Sequence, residues 1–434
     1  MKKMARALPV LALLAAVALT LTVGKNTQRP SSSSSVQPEP YHVEKVFESS
    51  EFKAVWVPYM DLDQSGEDEQ HFGKFKEKFD SIIKNAREAG MNTVMVHIRP
   101  FADSFYRSQY LPWSHLLTGT QGQDPGYDAM AYMVQAAHNA GLSFHAWINP
   151  LRIRSNSTPQ TLASSNPHSI WRNDGDIAND RWTVELENGI YFNPCYEQVR
   201  TLIIDGVKEM VAKYDVDAVH MDDYFYPTQD ENFDQQEYDT YRASVKAGEP
   251  LSLSNWRMEQ INLLVSGLYS AVKETKSSAL FGISPQGNLE NCQNMCADIE
   301  TWCSQPGYID YICPQLYFHF DNPVKPFTRT AQEWKTLVTC PQVRLYAGLA
   351  LYKANDPEAD NGVWEGQGDI IRKQLETLEQ QGYEGFALYS YDYLFAQQTS
   401  AEMQEIKQCL GAVQKQTVSD NLQTVPDTSV TAQR

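Results

Sequence analysis

Eight short apolar runs rich in β-branched and aromatic residues recur along the chain, at Phe52–Met60, Thr93–Pro100, Ser143–Pro150, Ala218–Tyr226, Leu280–Gly287, Tyr311–Phe318, Arg344–Lys353 and Gly385–Leu394. Near-continuous apolarity over such lengths predicts parallel strands buried on both faces. Longer stretches with apolar residues at three- and four-residue intervals follow them and predict helices at Phe75–Ala89, Tyr127–Ala140, Tyr196–Tyr214, Asn255–Lys273, Asp298–Ser304, Ala331–Thr339, Ile370–Gln381 and Ala401–Leu410. Gly90, Gly141 and Gly382 stand just past three of these, where a helix C-cap needs a left-handed residue. Eight β-then-α units predict an α/β fold, a (β/α)8 TIM barrel. An open doubly wound sheet alternates in the same way. Against it, no Gly-x-Gly-x-x-Gly follows the first run, and polar residues gather at the C-terminal ends of most runs, the face that carries barrel active sites.

Strand alternation phases those polar residues. His97 and Arg99 share a parity, as do His145, Trp147 and Asn149; His220, Asp222 and Tyr224; Ser284 and Gln286; Gln315 and Tyr317; and Ser390 and Asp392. All are expected at one barrel mouth. The densest chemistry is His220-Met-Asp-Asp-Tyr-Phe-Tyr-Pro227, in which Asp222 points inward and Asp223 opens the loop. Two carboxylates at the end of an apolar strand cost desolvation, which loop capping alone seldom justifies. Glycoside hydrolysis needs two such groups, one to protonate the leaving oxygen and one as nucleophile or base. Asp222 is the first candidate. For its partner, Asp223 and Asp392 lead over Asp61, Asp63, Asp103, Glu187 and Glu290. Arg99, Trp147, Asn149, Tyr224, Gln286, Gln315 and Tyr317 are the expected sugar-binding set, through hydrogen bonds and flat ring faces. The inward histidines 97, 145 and 220 raise a second reading, a metal-dependent deacetylase, although packed and hydrogen-bonded barrel histidines are the simpler account. No metal and no cofactor is assigned. A wall-binding protein without catalysis is a third reading.

Composition narrows the partners. The 434 residues carry a net charge of −18 and no basic stripe, which argues against a nucleic-acid backbone as ligand. Lys2, Lys3 and Arg6 precede an apolar run from Ala7 to Val23, so residues 1–24 are expected to be a signal peptide or signal anchor, with attachment to a membrane through residues 7–23. That places the protein outside the cytoplasm, secreted or anchored. Residues 25–45, with Ser31 to Ser35 and Pro30, Pro38 and Pro40, form a linker, 46–411 a single catalytic domain, and 412–434 a disordered tail. The 7 cysteines are an odd number, so at least one is unpaired within the chain; Cys292, Cys296 and Cys303 lack the spacing of a CxxC metal site and are expected to be ordinary thiols.

The motifs, taken in order, resemble the glycosyl hydrolase-like family 10 of exported bacterial proteins. The resemblance runs through Ala54-Val-Trp-Val57, Gly90-Met-Asn-Thr-Val-Met-Val-His-Ile-Arg-Pro100, Phe105-Tyr-Arg-Ser108, His145-Ala-Trp-Ile-Asn-Pro150, Tyr191-Phe-Asn-Pro194 and His220 to Pro227. It continues through Gly282-Ile-Ser-Pro285, Tyr308 to Tyr317 and Gly385-Phe-Ala-Leu-Tyr389. It implies a TIM-barrel glycosidase of the cell envelope, some members of which cleave peptidoglycan strands stripped of their stem peptides, and it lays the family's Asp-Asp pair on Asp222 and Asp223. The stretch from Asp217 also resembles the chitinase signature, but Tyr224 occupies the place of that family's acidic Glu.

Overall fold

A computed structural model describes residues 51–65, 72–156, 158–246 and 248–411. The expected signal segment (1–24), linker (25–45) and tail (412–434) lie outside the described residues.

All eight strands form one parallel ring: β1 (Phe52–Val57), β2 (Thr93–Arg99), β3 (Ser143–Ile148), β4 (Ala218–Met221), β5 (Leu280–Ile283), β6 (Tyr311–Ile312), β7 and β8 (Gly385–Leu388). β7 is interrupted at Tyr346 into Arg344–Leu345, which pairs with β6, and Ala347–Leu349, which pairs with β8. β8 pairs in turn with β1, with Phe52 opposite Gly385, so the ring closes. Around it lie α1 (Phe72–Glu88), α2 (Ala129–Asn139), α3 (Glu197–Lys213), α4 (Leu253–Thr275), α5 (Ile299–Ser304), α6 (Phe327–Leu337), α7 (Ile370–Gln380) and α8 (Ser400–Cys409). Each follows its strand, and the architecture is the expected TIM barrel. In α1 the buried residues are Phe75, Phe79, Ile82, Ile83 and Ala86, one stripe at helical spacing, and each large side chain contributes about 1.5–3 kcal/mol by leaving water. Gly90, Gly141 and Gly382 end their helices at φ +88°, +72° and +72°. All 7 cysteines are free thiols.

Every strand stops short of its expected C-terminus, and beyond the strand ends isolated bridges join Gln286 to Gln315 and Gln315 to Gly348. One insertion is large. Between β3 and α3 the chain builds a three-stranded antiparallel sheet, Arg152–Ser155, Thr183–Leu186 and Gly189–Phe192, with a helix Pro167–Asn173 beside it.

The barrel interior alternates large and small residues. The Trp56 indole lies over Gly348 and the Tyr311 ring over Gly282, where an added Cβ would come within 2.0 Å of the ring. The phenol oxygen of Tyr311 is tied to His145 and His220, so the ring has no room to retreat. Gly282→Ala is therefore expected to destabilise the fold by about 3 kcal/mol, the upper end for overpacking. Urea unfolding should show it as a lower midpoint at unchanged slope, and an unmoved midpoint would show that the ring is not held.

Candidate active site

Beyond the C-terminal strand ends lies a cleft of about 420 Å³ whose lining includes Trp56, Trp147, Arg152, Asp222, Asp223 and Gln315. Pro58, Tyr59 and Met60 after β1 and Tyr317, Tyr352 and Tyr389 after β6, β7 and β8 complete an aromatic wall. The rings of Tyr317, Tyr352 and Tyr389 stand 6.0–6.1 Å apart, centroid to centroid. A second groove, of about 670 Å³, lies on the outer face of α1 and α2 and is lined by surface residues such as Lys76, Lys84 and Arg87, away from every strand end.

Asp222 sits one residue past β4 and is buried. Its Oδ2 accepts the Trp147 indole N–H at 3.1 Å, and its Oδ1 accepts the Asn149 amide and the Tyr224 backbone N–H. Burial, then the charge of Asp223, pushes its carboxyl up to about 7, while Arg152 and the Asn149 hydrogen bond pull the other way. Asp223 is likewise raised, chiefly by burial, and is opposed by the amides of Gln286 and Gln315. Two adjacent carboxyls that both resist ionisation hold a proton near neutrality, the condition for acid catalysis there.

Trp147, Asn149, Tyr224, Gln286, Gln315 and Tyr317 thus gather around the acid pair. Trp147 stacks on His97 at 3.7 Å between centroids, which makes a flat floor. Asn149 and Gln286 act on the carboxyls from behind the cleft wall and do not themselves line it. Two expected site residues are placed elsewhere. A register shift between His97 and Arg99 on β2 breaks the alternation, setting Arg99 opposite Ile148, a residue of the outer core. Arg99 therefore turns to the helix layer, buried against Gly206 of α3 and beside Tyr106 and Asp103, and does not reach the cleft. Asp392 does not point into the mouth either. β8 ends at Leu388, and Asp392 is exposed on the one-turn helix Tyr391–Leu394, facing Asp61, whose carboxyl is pushed up to about 8 by burial and by Asp392.

The remaining acids are structural or exposed. Asp103 accepts His115 Nδ1 at 2.9 Å and Gln121 at 3.0 Å and anchors its loop, Asp63 accepts the Ser65 N–H, and Glu187 and Glu290 are exposed. Arg152 is the cleft residue that sequence reading missed. It lies past the end of β3 in the insert, and its only signal is a basic residue following Asn149-Pro-Leu. Tyr59, Tyr352 and Tyr389 were missed as well, since aromatics near strand ends also serve as packing.

Two of the three histidines belong to the barrel axis. The Trp56 indole N–H donates to His220 Nε2 at 3.1 Å, and His220 Nδ1 meets the Tyr311 hydroxyl at 2.9 Å, which meets His145 Nδ1 at 3.0 Å. Indole can only donate. His220 therefore carries its proton on Nδ1 and gives it to Tyr311 Oη, whose own proton goes to His145. Burial holds both imidazoles neutral, His145 down to about 4. Among the described residues no three His, Cys, Asp or Glu side chains are grouped to hold a metal ion.

Comparison with known proteins places this geometry. The sequence profile of a family described as glycosyl hydrolase-like 10 matches residues 51–366. The chain is 34% identical over 357 residues to the glycosyl hydrolase YngK of Bacillus subtilis, covering 76% of this chain and 67% of that protein. It is 30% identical over 341 residues to the glycosyl hydrolase DigH of Escherichia coli, covering 73% and 76%. Among solved structures, the PgaB glycoside hydrolase domain from Bordetella bronchiseptica superposes with a TM-score of 0.51 at 10% identity, over 82% of this chain and 98% of that one, a likeness of fold alone.

Proposed function

We propose, from the premise that the chain belongs to the glycosyl hydrolase-like 10 family and is a glycosidase, that it cleaves an amino-sugar glycan of peptidoglycan type outside the cytoplasm. The observation that carries the reading is the Asp222–Asp223 pair at the end of β4, set in a cleft of flat rings beside the Gln315 amide. Rings stack on sugar faces, and amides pair with hydroxyl and N-acetyl groups.

In the mechanism, protonated Asp222 gives its proton to the glycosidic oxygen as the bond to the anomeric carbon breaks. Asp223 stabilises the positive charge that develops on the sugar. Water then adds to the anomeric carbon, and the Asp222 carboxylate recovers a proton from it. Trp147 and Tyr224 offer stacking faces, and Gln315, with Asn149 and Gln286 behind it, sets the polar contacts. The apolar run Ala7 to Val23 behind Lys2, Lys3 and Arg6 supports export or anchoring at a membrane. With a net charge of −18, approach to an anionic wall polymer depends on stacking and hydrogen bonds rather than on charge.

Incubation with purified, peptide-free glycan strands, followed by mass spectrometry, is expected to release soluble oligosaccharides with new reducing ends. Intact strands, beside cleavage of another polysaccharide, would overturn the substrate assignment. Acetate release without new ends would favour a deacetylase.

A further inference from the structure

Arg152 carries the only fixed positive charge among the residues that line the cleft. Its Nε donates to the Pro100 carbonyl at 2.8 Å, and its Nη2 donates to Asn149 Oδ1. The guanidinium lies between the rings of Phe101 and Tyr224, 5.0 and 4.8 Å from their centroids. Asn149 in turn donates its amide to Asp222 Oδ1. An arginine can only donate, so the end of the Asn149 amide that faces Arg152 must be the oxygen. The nitrogen is then left facing Asp222. A rotated amide would set oxygen against the carboxylate and lose both hydrogen bonds.

We propose that Arg152 is a positioning residue of the reaction, acting on Asp222 through the Asn149 amide and through its own charge. The inference rests on the reading of Asp222 as proton donor. The other groups facing Asp222 leave Arg152 as the cation that matters. Asp223 and Tyr224 come from the same strand end and Tyr389 from just past β8; His97 of β2 lines the same cleft, and Tyr191 of the insert interacts with Arg152 and Tyr224 rather than with the carboxyl. Burial keeps His97 neutral and raises Tyr191, Tyr224 and Tyr389, so none of the tyrosines ionises near neutral pH. Asp223 raises Asp222, and Arg152 opposes it. An unopposed Asp222 would hold its proton to higher pH and return it to the leaving oxygen less readily.

The test is an infrared titration of the Asp222 carboxyl, identified as the band that Asp222→Asn removes, together with the pH profile of kcat/KM. Asp222 must be protonated to act, so activity falls as pH rises through its pKa. In Arg152→Met both the band and this basic limb are expected to move up by about one pH unit, the lower end for a nearby opposite charge. Arg152→Lys keeps the charge, so the titration stays in place. It lacks the planar fork that holds Pro100 and Asn149 together, so kcat is expected to fall about 10-fold with KM little changed. Circular dichroism confirms folding, and Arg152→Gln repeats the charge test should the Met variant not fold. An unshifted band in a folded charge-free variant would overturn the proposal. So would a raised KM at unchanged kcat, the mark of a substrate ligand. Full activity in Asp222→Asn would instead sink the donor reading, and the infrared shift would still decide the action of Arg152 on that carboxyl.

Discussion

Asp222→Asn is expected to lower glycan cleavage by about 10³-fold while leaving the thermal melt nearly unchanged. The size follows from removing a positioned proton donor, whose contribution is on the order of 10²–10⁴. The fold should survive for a local reason. The asparagine oxygen still accepts from Asn149, and its new N–H₂ faces the Trp147 indole N–H, which sits 3.1 Å from the present carboxylate. That mismatch costs about 1 kcal/mol. It is offset by relief of the repulsion from Asp223 and of the burial that now pushes Asp222 up to about 7. A series of aryl glycosides sharpens the measurement, because good leaving groups need no protonation and should lose less. A fully active variant, or a loss equal across the series, would remove Asp222 from the donor role.

The largest effect on stability is expected away from the cleft. Arg257 on α4 and Asp234, in the loop that follows the acid pair, form a buried ion pair with Nη2 to Oδ1 at 2.5 Å and Nε to Oδ2 at 3.0 Å. Arg257 also donates to the carbonyl of Asp230 at 2.7 Å, and the Tyr226 hydroxyl donates to Asp234. The pair thus fastens the loop from Tyr224 onward against α4. Asp234→Ala should cost about 3–5 kcal/mol, because it leaves the guanidinium buried without a counter-charge. Replacing both partners, as in Asp234→Leu with Arg257→Met, should recover much of that loss, since no charge is then stranded. Chemical unfolding of the single and double variants measures the difference. A double variant no more stable than the single one would mean that the loop, and not the charge, is what the pair maintains.

Most of the barrel was legible in the chain, for a physical reason. Strands buried on both faces read as unbroken apolar runs, and helices lying on them read as stripes, so all eight of each were found, the strands at their starts and the helices at both ends within a few residues. Alternation also placed Trp147, Asp222, Gln315 and Tyr317 correctly at the mouth. It failed where a bulge or a helical turn broke the two-residue repeat. One register shift in β2 sends Arg99 outward, and no residue type there announces it. At the end of β8 the chain turns into a one-turn helix, so counting by twos from Leu388 to Asp392 had no geometric meaning. Arg152 was hidden for a different reason. It reaches the acid pair from the insert, across a distance in space that spacing along one strand does not encode.

The string from Trp56 through His220 and Tyr311 to His145 has a sense as well as a place. Each member hands its proton to the next, and none can be reversed alone, because the indole at its head has no lone pair to offer. A change at any link strands its neighbours, two for His220 or Tyr311 and one for either end. The four side chains, with the bare Gly282 that makes room for the phenol ring, therefore act as one interlocked set. For substitution the barrel axis is one unit rather than five.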